Sequence, residues 1–234
     1  MTTTFATAAP PAAITGTDIP ILVLFGCPGA GKGTLAGILA ERYGFAHLST
    51  GAAMRAWAEG PSEEQCALRA AMTRGDYGSD ELAVRIVADT IGGLAPGTPA
   101  VILDGFPRNA AQYAAWRAGG GSGLAVLLVL DESLAVARIA GRGTCPVDGA
   151  PAPRTGDPCP TCGTATERRT DDGAIDTVRR RFAAYREMVL PILDAWRADG
   201  LPLRTFAADG PIEALDTLAA GIAGAIRGSV PATR

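Results

Sequence analysis

The sequence predicts an α/β protein with a doubly wound parallel sheet and two insertions. Three observations carry this reading. Short continuous apolar runs alternate with helical periodicities, the first run ends in a glycine-rich turn that opens a helix, and two stretches break the alternation.

Residues 21–25, Ile-Leu-Val-Leu-Phe, form the first run and read as a strand buried on both faces. Residues 100–103 and 124–130 are further runs of this kind, and 201–206 is a weaker one. Helical spacing of apolar residues covers 35–43, 82–91, 110–116, 134–140 and 178–196, with a closing helix over 212–226 and a frayed end from Gly228. Residues 50–80 are expected to be helical with no strand. Residues 142–172 are rich in Pro, Gly, Thr and Cys and show no period, the mark of a lid, a binding loop or a small metal-held module. The expected organisation is a mobile tail over 1–19, one domain over 20–228 with insertions at about 50–80 and 142–172, and a tail over 229–234.

Composition removes several classes. The chain has 234 residues, 47% hydrophobic and 19% charged, so bulk disorder is excluded. Its longest apolar run, Leu124 to Leu130, is far short of the roughly 20 residues that span a membrane. A net charge of −3 argues against a general nucleic-acid binder. The first 19 residues hold no Lys or Arg and no apolar core, so neither a secretory signal nor a transit peptide is expected, and the protein is expected in the cytoplasm. The five cysteines are odd in number, and Cys145, Cys159 and Cys162 crowd together, which suits reduced thiols with a metal clip better than a disulfide scaffold. Cys27 and Cys66 are expected to be small packing residues.

Of the 21 basic residues only Lys32 is a lysine. It lies in Gly26-Cys27-Pro28-Gly29-Ala30-Gly31-Lys32-Gly33-Thr34, which matches the phosphate-loop pattern G-x-x-x-x-G-K-[ST] except that Gly33 separates Lys32 from Thr34. Glycines let successive N–H groups turn inward toward phosphate oxygens, the following helix adds its positive end, and the lysine reaches the outer phosphates. Asp104, at the end of the run 100–103, faces the same crevice and suits support of Mg²⁺ on phosphates; a helix-capping Asp is the plainer alternative.

Gly26 to Thr34 resembles the GxPGxGKGT loop of adenylate kinases. Ser49-Thr50-Gly51 with Arg55 resembles their STGDxxR segment, Asp104 to Arg108 their DGFPR, Arg138 to Arg142 their RxxGR, and Arg169 to Asp172 their RxDD. Thr177 to Tyr185 and Pro191-Ile192-Leu193 resemble the helix after the lid, so the resemblance runs from about residue 20 to 226. It implies a P-loop NTPase-like fold with a helical acceptor-binding insertion and a small LID. It also implies transfer of the γ-phosphoryl of ATP to AMP with Mg²⁺ under a closing LID, by a monomer acting on free nucleotides without nucleic acid or membrane.

Residue by residue, the resemblance assigns ATP to Gly29, Ala30, Gly31, Lys32, Gly33, Thr34, Arg138, Arg142 and Gly210. It assigns AMP to Thr50, Arg55, Gly78, Gly105, Arg108, Gln112, Arg169 and Arg181, and catalysis to Lys32, Arg108, Arg138, Arg169 and Arg181. Such a cationic set fits in-line phosphoryl transfer, which needs positioning and charge neutralisation more than covalent help. A glutamine amide donates and accepts, so Gln112 suits an adenine edge. Asn109 resembles the UMP/CMP kinases instead, a second reading; a nucleotide-binding regulator with little turnover is a third. Ala52 and Asp76 depart from the family pattern, which has Asp and often Lys or Arg there. His47 is read as structural, since this transfer class needs no histidine base.

In the LID, Cys145-Pro-Val-Asp148 and Cys159-Pro-Thr-Cys162 flank ten residues. Two such x₂ loops suit a tetrahedral structural Zn²⁺, and many bacterial adenylate kinases carry one on three Cys and a Cys or Asp, which implies Cys145, Asp148, Cys159 and Cys162 here. A metal-free hydrogen-bonded lid and a redox cysteine pair are the alternatives.

Overall fold

The computed structural model describes residues 19–73, 79–147, 151–159, 162–168 and 175–229. Five strands form one all-parallel sheet: β1 (Ile21–Gly26), β2 (Ala46–Ser49), β3 (Val101–Asp104), β4 (Leu124–Val129) and, in a separate late segment, Leu203–Ala207. Two short strands, β5 (Gly143–Thr144) and β6 (Pro151–Ala152), pair antiparallel in the LID, so the late strand is β7. The sheet order is β2-β3-β1-β4-β7. The chain winds outward through β2, returns to β3 and then crosses β1 to β4. The carboxyl end of β1 therefore marks the reversal, where open α/β sheets place their ligands.

The continuous apolar runs arise because both faces of the sheet are covered. Along β1, Val23 and Phe25 enter one core while Leu22 and Leu24 enter the other. Val101 and Leu103 against Ile102, and Ala125 and Leu127 against Val126 and Leu128, repeat the alternation. The first core is closed by α2 (Thr50–Ala58), α3 (Glu63–Thr73), α4 (Asp80–Gly92), α5 (Ala110–Ala118) and the later part of α7 (Ile175–Ala198). Trp116 and Trp196 stack there with centroids 5.0 Å apart. The second core is closed by α1 (Lys32–Tyr43), α6 (Glu132–Gly141), the earlier part of α7 and α8 (Glu213–Ser229).

Three expectations need correction. Strand β2 was not foreseen: its four residues, Ala-His-Leu-Ser, lie at the sheet edge and bury only Leu48 fully, so no apolar run marks them. Helix α8 continues to Ser229, past the Gly228 where fraying was expected. Cys66 does not pack inside; it is exposed on α3, and Arg69 Nη2 donates to its sulfur at 3.2 Å. Apart from Ile19 and Ser229, the expected tails lie outside the described residues. No helix among the described residues is long and apolar enough to cross a membrane.

Candidate active site

The loop between β1 and α1 turns on Gly26 (φ 151°), Gly29 (φ 82°) and Gly31 (φ 92°). A side chain at Gly29 would be strained by that φ, and its Cβ would stand 3.0 Å from the Ala135 carbonyl oxygen. Gly31 caps α1 without a side-chain hydrogen bond, leaving an N-terminus with positive dipole character beside Gly33 and Thr34. Ala30 is buried and its N–H donates to the Cys27 carbonyl at 3.1 Å.

Lys32 folds back over this loop. Its Nζ donates to the Gly26 carbonyl at 2.7 Å and the Cys27 carbonyl at 3.1 Å. Burial pulls the ammonium below its usual pKa range and Asp104 opposes that pull, while Arg142 and Arg181 add to it. Lys32, Asp104, Arg142 and Arg181 thus share one electrostatic neighbourhood, although they come from α1, β3, the end of α6 and α7.

Asp104 ends β3, in register with Leu24 of β1 and Ser49 of β2. Burial pushes its carboxyl up. The His47 imidazole, with Nε2 3.6 Å from Asp104 Oδ2, and the charges of Lys32 and Arg108 outweigh that and hold it below the usual carboxylate range. Asp104 does not cap a helix: α5 is capped by Asn109, whose Oδ1 accepts from the Gln112 N–H at 2.9 Å. His47, read as structural, is an exposed residue of β2 whose imidazole lies beside the Asp104 carboxylate.

Of the residues that the resemblance assigns to AMP, Thr50, Arg55, Gly105, Arg108 and Gln112 gather around the DGFPR turn. Arg108 Nε donates to the Gly105 carbonyl at 2.7 Å, and Gly105 has φ 84°. A methyl group at Gly51 would stand 3.2 Å from Arg108 Nη2 and 3.5 Å from Arg55 Nη1, so both guanidiniums flank the start of α2. Thr50 is 1% exposed, with its hydroxyl 3.4 Å from the Asp104 carbonyl. Gln112 is 3% exposed; its Oε1 accepts from the Arg108 N–H at 2.8 Å and its Nε2 donates to Asp80 Oδ1 at 2.8 Å. Asp80 was not singled out from sequence. Ser79-Asp80-Glu81, a capping Ser followed by two acids, announced a helix start there but not a partner for Gln112.

Among the residues that the resemblance assigns to ATP, Arg138 Nη1 donates to the Ala208 carbonyl at 2.7 Å and Nη2 to the Gly210 carbonyl at 3.3 Å. Arg138 and Gly210, paired by resemblance, are therefore in direct contact. Arg142 caps α6, and its carbonyl accepts from Thr155 Oγ1 at 3.1 Å, tying the LID to that helix. Arg169, Gly78, Asp76 and Asp148 lie outside the described residues.

In the LID, the sulfurs of Cys145, Cys159 and Cys162 all lie within 4.8 Å of one another. Cys145 and Cys162 Sγ are 3.5 Å apart, close to the roughly 3.8 Å that tetrahedral Zn–S bonds of about 2.3 Å require. The Val147 N–H donates to Cys145 Sγ at 3.4 Å, and the Thr164 hydroxyl beside Cys162 holds that thiol below its usual pKa range. The donor chemistry fits a thiophilic metal. A second element was invisible in the sequence: buried Thr166, with Oγ1 2.8 Å from the Asp157 carbonyl and 3.1 Å from that of Arg154, packs against Gly143.

A family model described as adenylate kinase matches residues 24–201. Adenylate kinase of Sphingopyxis alaskensis is 34% identical over 194 residues, covering 78% of this chain and 88% of that protein. Adenylate kinase of Streptomyces avermitilis is 36% identical over 204 residues, covering 82% and 91%. Adenylate kinase of Magnetococcus marinus is 38% identical over 192 residues, covering 77% and 89%. With a lysine-bearing glycine loop at the switch point of a 2-3-1-4-7 sheet and ordered matches across most of its length, the chain belongs to the adenylate kinase family.

Proposed function

We propose that this chain transfers the γ-phosphoryl of ATP to AMP, giving two ADP, with Mg²⁺. The observation that carries the reading is that Lys32, after β1, and Asp104, at the end of β3, share one electrostatic neighbourhood with Arg108, Arg142 and Arg181, drawn from four parts of the chain. Magnesium, bound to the donor phosphates, would neutralise their charge, and the ionised Asp104 carboxylate would support it. Lys32 exchanges its loop carbonyls for phosphate oxygens, and the α1 N–H groups cradle the same anion. Arg138 and Gly210 flank the donor nucleotide, while Arg55 and Arg108 hold the acceptor phosphate beside Gly51. Arg169 and Arg181 complete the cationic set. LID closure over both nucleotides excludes competing water.

The three LID thiols, Cys145, Cys159 and Cys162, fit a structural zinc, with Asp148 as the fourth ligand that the resemblance implies; the metal would lock a segment with little core of its own. On this reading the protein is a cytoplasmic monomer that uses neither nucleic acid nor membrane. A pyrimidine acceptor is the second reading, favoured only by Asn109, whose side chain is already engaged in capping α5 and bonding Asp80. A coupled assay with ATP and AMP, dAMP, UMP, CMP or GMP tests the choice. AMP is expected to show the highest kcat/KM; preference for UMP or CMP would reverse the assignment, and turnover with none would favour the regulator.

A further inference from the structure

Asp80 receives two hydrogen bonds on a single oxygen. Asn109 Nδ2 and Gln112 Nε2 both donate to Asp80 Oδ1, each at 2.8 Å. The three residues come from three places: the first turn of α4 in the acceptor-binding insertion, the cap of α5, and the buried face of α5. Asn109 also accepts from the Gln112 N–H, and Gln112 Oε1 accepts from the Arg108 N–H. The result is a closed ring of hydrogen bonds joining Asp80, Asn109 and Gln112, with the Arg108 N–H attached to it through Gln112 Oε1.

An amide has two N–H bonds and two oxygen lone pairs. These bonds use one of each on Gln112, and they use them in a fixed sense: nitrogen toward Asp80, oxygen toward Arg108. Reversing the amide would set its NH₂ against the Arg108 N–H and its oxygen against the Asp80 carboxylate, two repulsions at once. The remaining N–H and lone pair are therefore offered to a substrate edge in one order only. Because Asp80 begins α4, the same oxygen also sets the position of the insertion relative to the DGFPR turn.

We propose that Asp80 is a specificity-positioning residue, acting through Gln112 to fix the donor–acceptor order that an acceptor base meets. The proposal rests on the reading of Gln112 as the residue that reads that base. Both bonds converge on one oxygen, so an uncharged side chain with an oxygen in that place should suffice.

The test compares wild type, Asp80→Asn, Asp80→Ala and Asp80→Ser in kcat and KM for AMP, GMP, UMP and CMP, with melting temperature measured beside them. Ser is included as a small polar residue that keeps the first turn of α4 but cannot reach Gln112. Ala and Ser are expected to raise KM for AMP by about tenfold or more, with kcat changed far less, and to narrow the ratio of kcat/KM between the preferred base and the others by a similar factor. Asn is expected to hold that ratio within about threefold of wild type. Folded Ala or Ser variants that keep the wild-type ratio would overturn the proposal, as would an equal loss with every acceptor that tracks the fall in melting temperature. If wild type prefers a pyrimidine, the AMP reading fails separately. The proposal is then judged on the same ratio for the pyrimidine: narrowing in Ala and Ser supports it, and no change overturns it.

Discussion

Residues 26–34 rest on β1 and α1, where Leu22, Leu35 and Leu39 are fully buried and Leu24 nearly so. Described residues 143–168 have behind them only Cys145, Ala152, Cys159 and Thr166 as buried side chains. The phosphate loop inherits its shape from two hydrophobic cores, and its glycines need only be free to turn. The LID hairpin has no such support: two-residue strands, two isolated bridges, a Thr166 network and three thiols are what hold it among the described residues. The contrast predicts that changes at the loop strike chemistry and spare the fold, while changes at the thiols strike the local fold first.

The largest expected effect is at Lys32. Lys32→Met removes a charge and little volume, and turnover should fall by roughly two to three orders of magnitude with the melting temperature nearly kept. Activity close to wild type in a folded variant would remove the loop from the mechanism. Next comes Cys159→Ser, which should lose most of the proposed zinc and lower the melting temperature by several degrees, as should chelation of the intact protein. Asp148→Cys should keep or tighten the metal, because thiolate is the softer ligand. Elemental analysis with a thermal melt checks all three; a zinc-free protein after metal-replete, reducing expression would leave the hydrogen-bond network as the sole support.

A smaller effect is expected at Asp104. Its carboxyl is held below the ordinary range in the folded state, so its contribution to stability is present above the unfolded value near 3.8 and is lost as pH falls through the lower folded value. Asp104→Asn should flatten the acid side of the stability–pH curve while costing activity at neutral pH. An unchanged acid limb would mean that His47 and Lys32 do not support the carboxylate as described. The smallest is Ala52→Asp. The first turn of α2 holds no acid, so a carboxylate there gains about 0.3–1 kcal/mol from the helix dipole and stands three positions before Arg55 on the same helix. A rise of a degree or more in melting temperature and a higher kcat/KM for AMP are expected; no change in either would make position 52 indifferent.

What was legible in the sequence follows the same division. Strands with both faces buried announce themselves as apolar runs, and a glycine loop with a lysine must lie between strand and helix, so β1, β3 and β4 were readable to within a residue at their ends, and so was the loop between β1 and α1. Edge strand β2 was not, because one face of it meets solvent and its pattern is too short to count. Cys66 misled because a cysteine's burial depends on neighbours that spacing does not show. The Asp80–Gln112 bond joins residues 32 positions apart on different helices, and no local period encodes such a pair. The Thr166 network escaped for the same reason: it is made of carbonyls, which every residue has.

One measurement bears on the whole account: the product stoichiometry of the intact and the metal-stripped protein at low temperature, with ATP and AMP supplied together. The account predicts that ATP and AMP disappear one for one and two ADP appear in both preparations, and that the stripped protein loses its activity at a lower temperature than the intact one. ATP consumed without AMP, or a stripped protein that is inactive while still folded at low temperature, would contradict it.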